Sequence, residues 1–128
     1  MTPAIKTISD IYTCMEQGNI GKLLVVLDSS INVQTAECLG GTKPGAEGIL
    51  QLISMFYRPG VRIKKMVKHI VEHHDKVIVL GNIQTVSSVD NPNQMPFADV
   101  WSFENNKIRE VVFYYRDPGE LCGHLNAI

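Results

Sequence analysis

Apolar residues recur at helical spacing from the start of the chain, with Ile5, Ile8, Ile11, Tyr12 and Met15 on one stripe. Thr2 before Pro3 is a start signal, a capping hydroxyl ahead of a proline at the first helical position, and Gly18 is a stop. A first helix is predicted over about residues 3–17. Asn19 can cap a short second helix in which Ile20, Leu23, Leu24 and Leu27 form one stripe, ended by Asp28-Ser29-Ser30. Residues 31–38 alternate with period two and predict a strand, and Gly40-Gly41 breaks the chain. Ile49, Leu50, Leu52, Ile53, Phe56 and Tyr57 then return to helical spacing, predicting a third helix over about 45–57 before Pro59-Gly60.

After Gly60 the period changes from helical to alternating. Residues 61–72 predict a strand, His74-Asp75 a turn, and 76–86 a largely apolar strand of the kind buried on both faces. The polar stretch 87–94 reads as a loop. Strands over 96–104 and 107–116 follow, joined through Asn105-Asn106, because asparagine tolerates the left-handed backbone of a tight hairpin. Helices first and a meander of long strands last is the order of an α+β domain, with helices on one face of a mostly antiparallel sheet.

A length of 128 residues fits one domain over 1–128. Hydrophobic residues at 45% and charged residues at 20% argue against intrinsic disorder. Twelve Lys+Arg against thirteen Asp+Glu leave no basic field, so nucleic acid and anionic membranes are not expected partners. Cys14, Cys38 and Cys122 are odd in number and widely spaced, and they read as reduced thiols. The first residues lack an apolar secretory core, and no run of about 18 apolar residues exists to span a bilayer. A cytoplasmic protein is therefore expected. Phosphate-loop, dinucleotide-binding and serine-hydrolase motifs are missing.

Several short motifs in order carry a resemblance. They are Gly18-Asn19 closing the first helix, Leu27-Asp28-Ser29-Ser30 before a strand, Gly45-x-Glu47-Gly48-Ile49 opening a helix, His74-Asp75-Lys76-Val77, and Phe97-Ala98-Asp99-Val100-Trp101-x-Phe103 before Lys107-Ile108. The pattern resembles the SnoaL-like branch of the nuclear transport factor 2 and ketosteroid isomerase superfamily over essentially the whole chain. The resemblance implies a cone-shaped, cystatin-like α+β fold: a curved mixed, mostly antiparallel sheet wrapped around three N-terminal helices. It also implies an apolar pocket at the open end and a homodimer formed through the convex face of the sheet. Isomerases, cyclases, epoxide hydrolases, dehydratases and non-catalytic modules share this scaffold, so fold alone does not assign function.

Asp99 is the first candidate for chemistry. It alternates with Phe97, Trp101 and Phe103 on one strand face, and desolvation among aromatic rings would raise its pKa toward neutrality. The resemblance places it where ketosteroid isomerases keep a protonated Asp and limonene epoxide hydrolases a catalytic one. Other positions depart from those enzymes. The helix-one tyrosine of the isomerases aligns with Ile11, leaving Tyr12 about 100° around the helix. The isomerase base aligns with Thr35, which cannot ionise, with Glu37 two residues on. The epoxide hydrolase Arg and second Asp align with Phe97 and Tyr114.

On the last strand the resemblance turns Val112, Tyr114 and Arg116 toward the pocket, and Val111, Phe113 and Tyr115 outward to a two-fold interface shared with Ala98 and Val100. Tyr114 beside Asp99 is then a hydrogen-bond donor to substrate or a packed core residue. Arg116 holds an anionic group at the rim or pairs with Asp117 or Glu120. His69, mid-strand, is a general base or a core histidine, while His73 and His74 sit at a turn and cannot converge with it on one metal. Met15, Met55, Met66 and Met95 are core fillers and flexible pocket walls. The expected site thus has Asp99 and Tyr114 as catalytic residues. Tyr12, Met15, Thr35, Glu37, Tyr57, His69, Phe97, Trp101 and Arg116 are its binding residues, with no metal and no cofactor. A small hydrophobic molecule is the expected ligand. The reaction class is cofactor-independent isomerisation, cyclisation, dehydration or hydrolysis, and the alternative is a binding or interaction module without turnover. An open pocket of about 300 Å3 or more with Asp99 exposed to it would favour the ligand-binding readings, and a collapsed one the interaction module.

Overall fold

The computed structural model describes residues 2–56, 63–86 and 92–126. Helix α1 spans Pro3–Gln17, with the Thr2 hydroxyl accepting from the Ile5 backbone N–H at 3.2 Å and Gly18 closing the helix at φ 71°. Both ends are satisfied locally, which fixes the helix register and hence the face that carries Ile8, Ile11, Tyr12 and Met15 into the core. Helix α2 covers Ile20–Val26, and α3 covers Glu47–Phe56. Strands β1 (Leu27–Gln34), β2 (Lys43–Pro44), β3 (Ile63–His73), β4 (Lys76–Val86), β5 (Pro92–Glu104) and β6 (Lys107–Tyr115) form one sheet in the order β2-β1-β6-β5-β4-β3. Only the β1–β6 pair is parallel. A C-terminal helix, α4, spans Pro118–Asn126. The expected α+β class and mixed, mostly antiparallel sheet over N-terminal helices are therefore observed.

Several expected boundaries move, each for a local reason. β1 begins at Leu27 because Asp28 bonds the Ser30 backbone N–H and hydroxyl at 2.8 and 2.7 Å, holding the polar Asp28-Ser29-Ser30 run in an irregular stretch of strand. Residues Glu37–Leu39 make a 3-10 turn where strand was expected. β5 starts at Pro92, inside the expected loop, since β4 offers a partner as far as Val86. β4 is buried on its inner face only: Val77, Val79 and Ile83 are enclosed, but Leu80 is 39% exposed on the outer face. Helix α4 was not anticipated. It brings Cys122 to the 3-10 turn, where it is disulfide-bonded to Cys38, so two of the three expected thiols are paired and only Cys14 is free.

The bend of the β3–β4 pair shapes the sheet. A β-bulge interrupts the register between Val67 and His69, opposite Gly81 and Leu80. At Gly81 a Cβ would lie 2.0 Å from the Met66 carbonyl oxygen and 3.0 Å from the Phe97 ring, so the backbones approach as closely as they do only because no side chain is present. The extra residue also switches parity: Lys65 pairs with inward Ile83 before the bulge, and Ile70 pairs with inward Val79 after it. Replacing Gly81 by alanine is expected to lower stability by about 1–3 kcal/mol, the range of overpacking defects. Chemical denaturation of Gly81→Ala checks this, and unchanged stability would show that the close approach does not constrain the fold.

Candidate functional site

The inner face of the sheet is read from β5 and β6 together. Phe97 pairs with Tyr115, Asp99 with Phe113 and Trp101 with Val111, and all six are buried. Asp99 is fully enclosed, and its carboxylate oxygen Oδ2 accepts from Lys65 Nζ at 2.7 Å and from the Tyr12 hydroxyl at 2.5 Å. Trp101 Nε1 donates to the same Tyr12 hydroxyl at 3.0 Å, so α1, β3 and β5 are joined by a single network. The second carboxylate oxygen, Oδ1, is buried and makes no hydrogen bond within the described residues.

Lys65 stands in an aromatic box. Its Nζ lies 4.7 Å from the ring centres of Phe97 and Phe113, 5.4 Å from Tyr115 and 5.8 Å from Tyr12 and Phe56. Ring faces attract the ammonium, and the Asp99 carboxylate attracts it more strongly. Against both acts the cost of removing charge from water. Burial raises the Asp99 carboxyl above the ordinary carboxylate range and lowers the Lys65 ammonium below the ordinary lysine range, and in each case the partner's charge only partly opposes the shift. Tyr12 is pushed well above the usual phenol range, chiefly by burial and then by the adjacent carboxylate, so its proton stays in place. The trio thus holds exchangeable protons at short range, with burial opposing the charged forms of Asp99 and Lys65 and their mutual attraction favouring them.

Space around the trio is small. Between α3 and the sheet a void of about 10 Å3 is lined by Met15, Leu52, Phe56, Lys65, Phe113 and Tyr115, among others. On the other side of Lys65, a cleft of about 190 Å3 between α1 and β3 is lined by Ser9, Tyr12, Thr13, Glu16, Lys65, Val67 and Ile70. Asp99 does not line that cleft, but Tyr12 and Lys65, its two hydrogen-bond partners, do. The open pocket expected beside Asp99 is therefore not observed, because Lys65 and the aromatic rings fill it. A wider hollow of about 530 Å3 lies between α1 and α2, where Lys6, Asp10, Gln17 and Lys22 line it, and it does not touch the trio.

Of the expected site residues, Asp99, Tyr12, Trp101, Phe97 and Met15 come together. Tyr12 does so because the helix turns its hydroxyl onto Asp99 rather than away from it. Tyr114 is a correction: it is 56% exposed on the outer face, since β6 directs Val111, Phe113 and Tyr115 inward. The same parity removes Val111, Phe113 and Tyr115 from any two-fold interface. Arg116 is exposed, with its guanidinium 3.8 Å from Glu120. His69 is exposed because the bulge reverses its side, and Glu37 is exposed on the 3-10 turn. Thr35 lies past the end of β1, its buried hydroxyl without a hydrogen bond among the described residues, and takes no part in the Asp99 network. Tyr57 lies outside the described residues. Lys65 was missed. The signal for it was indirect: a carboxylate enclosed by rings needs a counter-charge, and β3 carries Lys64 and Lys65 on opposite faces. Among the described residues, no group of three or more His, Cys, Asp or Glu side chains is placed to hold a metal, and no helix is long and apolar enough to cross a membrane.

Removing one member of a buried ion pair strands the other. Asp99→Asn and Lys65→Met are each expected to cost about 3–5 kcal/mol, while Lys65→Met combined with Asp99→Leu costs less than either alone. Urea unfolding of the three variants measures this, and additive losses would refute the coupling.

No protein-family model and no curated protein matches the chain. Solved structures do. An NTF2-like protein of unknown function from Burkholderia pseudomallei superposes with a TM-score of 0.79 at 19% identity, covering 98% of each chain. TerC, co-crystallised with polyporic acid, gives 0.77 at 20% identity over 98% of this chain and 99% of its own. IdmH, a proposed polyketide cyclase from Streptomyces antibioticus, gives 0.76 at 16% identity over 98% and 99%. At these identities the likeness is one of architecture, and it agrees with the sheet order and helix placement described above. The chain has the NTF2-like fold.

Proposed function

We propose that this protein binds a small, largely apolar carbonyl compound in the cleft between α1 and β3 and moves a proton on it without a cofactor. The observation that carries the reading is the Tyr12–Asp99–Lys65 network, two charges and a phenol buried in a core that apolar side chains would stabilise better. Lys65 and Tyr12 line the cleft, and the Lys65 ammonium, which keeps hydrogens beyond the one it gives to Asp99, is the donor a substrate oxygen would meet. It stabilises the negative charge that develops on that oxygen, as in an oxyanion hole. Asp99, behind them, acts as the acid/base that stores the exchanged proton. The cleft is smaller than about 300 Å3 and Asp99 is not exposed to it, which is the collapsed case that favours an interaction module; the catalytic reading therefore stands on the buried network, and the cleft limits any substrate to a small molecule. The cyclase activity proposed for one structural neighbour and the polyporic acid co-crystallised with another support small-molecule chemistry on this scaffold.

Phenylacetone in deuterium oxide tests this reading, because proton transfer next to its carbonyl appears as loss of the α-hydrogen NMR signal. The protein is expected to accelerate exchange over buffer. Asp99→Asn or Tyr12→Phe, each measured where circular dichroism shows it folded, should remove most of that acceleration, about 100-fold. The single tryptophan, Trp101, reports binding through its indole N–H. No acceleration together with an unmoved Trp101 signal would overturn the proposal.

A second observation favours self-association. On the outer face, Tyr114, Ala98 and Leu80 form one cross-strand row and Val112, Val100, Ile78 and Val71 the next, and Val71 and Leu80 are 48% and 39% exposed. An apolar band of this kind on an open sheet face supports pairing of two copies there. Sedimentation at micromolar concentration is expected to show a dimer that Leu80→Glu converts to monomer, and a monomeric wild type would refute it.

A further inference from the structure

We infer that Lys65 is a covalent nucleophile: its amine condenses with the carbonyl of a small aldehyde or ketone in the α1–β3 cleft to give an iminium ion, with Asp99 as the acid that releases water. The inference rests on the carbonyl site proposed above and goes further, since proton transfer alone needs no bond between substrate and protein.

Three observations lead to it. Lys65 is the one buried lysine among those described, while Lys6, Lys22, Lys64, Lys68, Lys76 and Lys107 are exposed. Its side chain lines both the outer cleft and the inner void and so stands between the two spaces. Finally, the Asp99 carboxylate, 2.7 Å from Nζ, can take the ammonium proton without changing the net charge of the site. A desolvated lysine is the usual form in which this side chain becomes a nucleophile.

The steps balance. The ammonium passes one proton to Asp99, leaving an amine and a carboxylic acid. The amine lone pair adds to the carbonyl carbon, and the resulting alkoxide takes a proton from the attacking nitrogen, giving a carbinolamine. Asp99 then protonates the hydroxyl, the C–O bond breaks, water leaves, and the nitrogen lone pair closes the C=N bond. The products are an iminium cation, an Asp99 carboxylate and one water. The five rings that surround the ammonium are placed to surround the iminium as well, so the cation at the end of the sequence is held where the cation at its start was. The iminium withdraws electrons from the neighbouring carbon, and this is the activation that isomerisation and aldol chemistry at that carbon require.

Reductive trapping tests the inference on the wild-type protein. Benzaldehyde with sodium cyanoborohydride at pH 7 converts any iminium into a stable benzyl amine, which peptide mass spectrometry locates. Lys65 is expected to carry the benzyl group at least about tenfold faster than Lys6, Lys22 or Lys107, because burial beside the Asp99 carboxylate disfavours the ammonium that must lose a proton before it can attack. Lys65→Arg should then show only slow labelling of the exposed lysines. Lys65 unlabelled, or labelled no faster than they are, overturns the inference. If benzaldehyde still shifts the Trp101 indole signal in that case, the carbonyl site stands and the covalent step falls; if it does not, both fall.

Discussion

Everything at the centre of this molecule follows from one carboxylate that has been taken out of water. Asp99 lies fully enclosed at the middle of the sheet, where a lone charge would cost several kcal/mol or more. Lys65 and Tyr12 meet that demand, and neither comes from a neighbouring residue in sequence. Lys65 reaches Asp99 because β3 runs inward at that position before its bulge, and the bulge forms against a glycine that leaves room for it. Tyr12 reaches it because α1 is fixed at both ends by Thr2 and Gly18, so its register cannot drift. A turn of helix, a bend of sheet and a strand pairing are thus tied to a single oxygen atom.

The local chemistry of the chain made much of this legible. Thr2-Pro3 and Gly18 bracket α1 to the residue, and the β5–β6 turn falls at Asn105-Asn106, both in the left-handed region as the pair suggests. The alternation of Phe97, Asp99 and Trp101 correctly places the carboxylate among rings. What escaped was parity over distance. One inserted residue in β3 reverses which side His69 faces, and no composition or spacing announces a bulge in Met66-Val67-Lys68. On β6 the apolar character of both faces, Val112 and Tyr114 on one and Phe113 and Tyr115 on the other, left the resemblance to decide, and it pointed the wrong way. Helix α4 did have a signal, an Asp117 cap before Pro118, and the Glu120 backbone N–H bonds Asp117 at 3.0 Å as that signal implies.

The same architecture serves proteins with different chemistries, so the case for activity here has to rest on this chain's own side chains. The positions that aligned with known catalytic groups are mostly occupied by residues that cannot ionise or that face solvent. In their place stands a lysine, and the space a ligand would otherwise fill beside Asp99 is filled by its side chain and the rings around it. A site that resembles its structural neighbours in outline can therefore differ from them in which atom meets the substrate.

The Cys38–Cys122 disulfide divides the chain topologically, closing a covalent loop with a sequence separation of 84. Lys65, Asp99 and Trp101 lie inside the loop, and α1, with Tyr12, lies outside it. The cross-link restricts the unfolded chain and so favours the folded state of what it encloses, by roughly 4–5 kcal/mol on the chain-entropy account. Helix α1 shares none of that restriction and is held by the packing of Ile8, Ile11 and Met15 and by the Tyr12 hydrogen bonds to Asp99 and Trp101. The cross-link thus encloses α3 and β3 to β6 with Lys65 and Asp99, while α1, α2 and β1 lie outside it, and the helix that covers the buried charges is kept over them by non-covalent contacts.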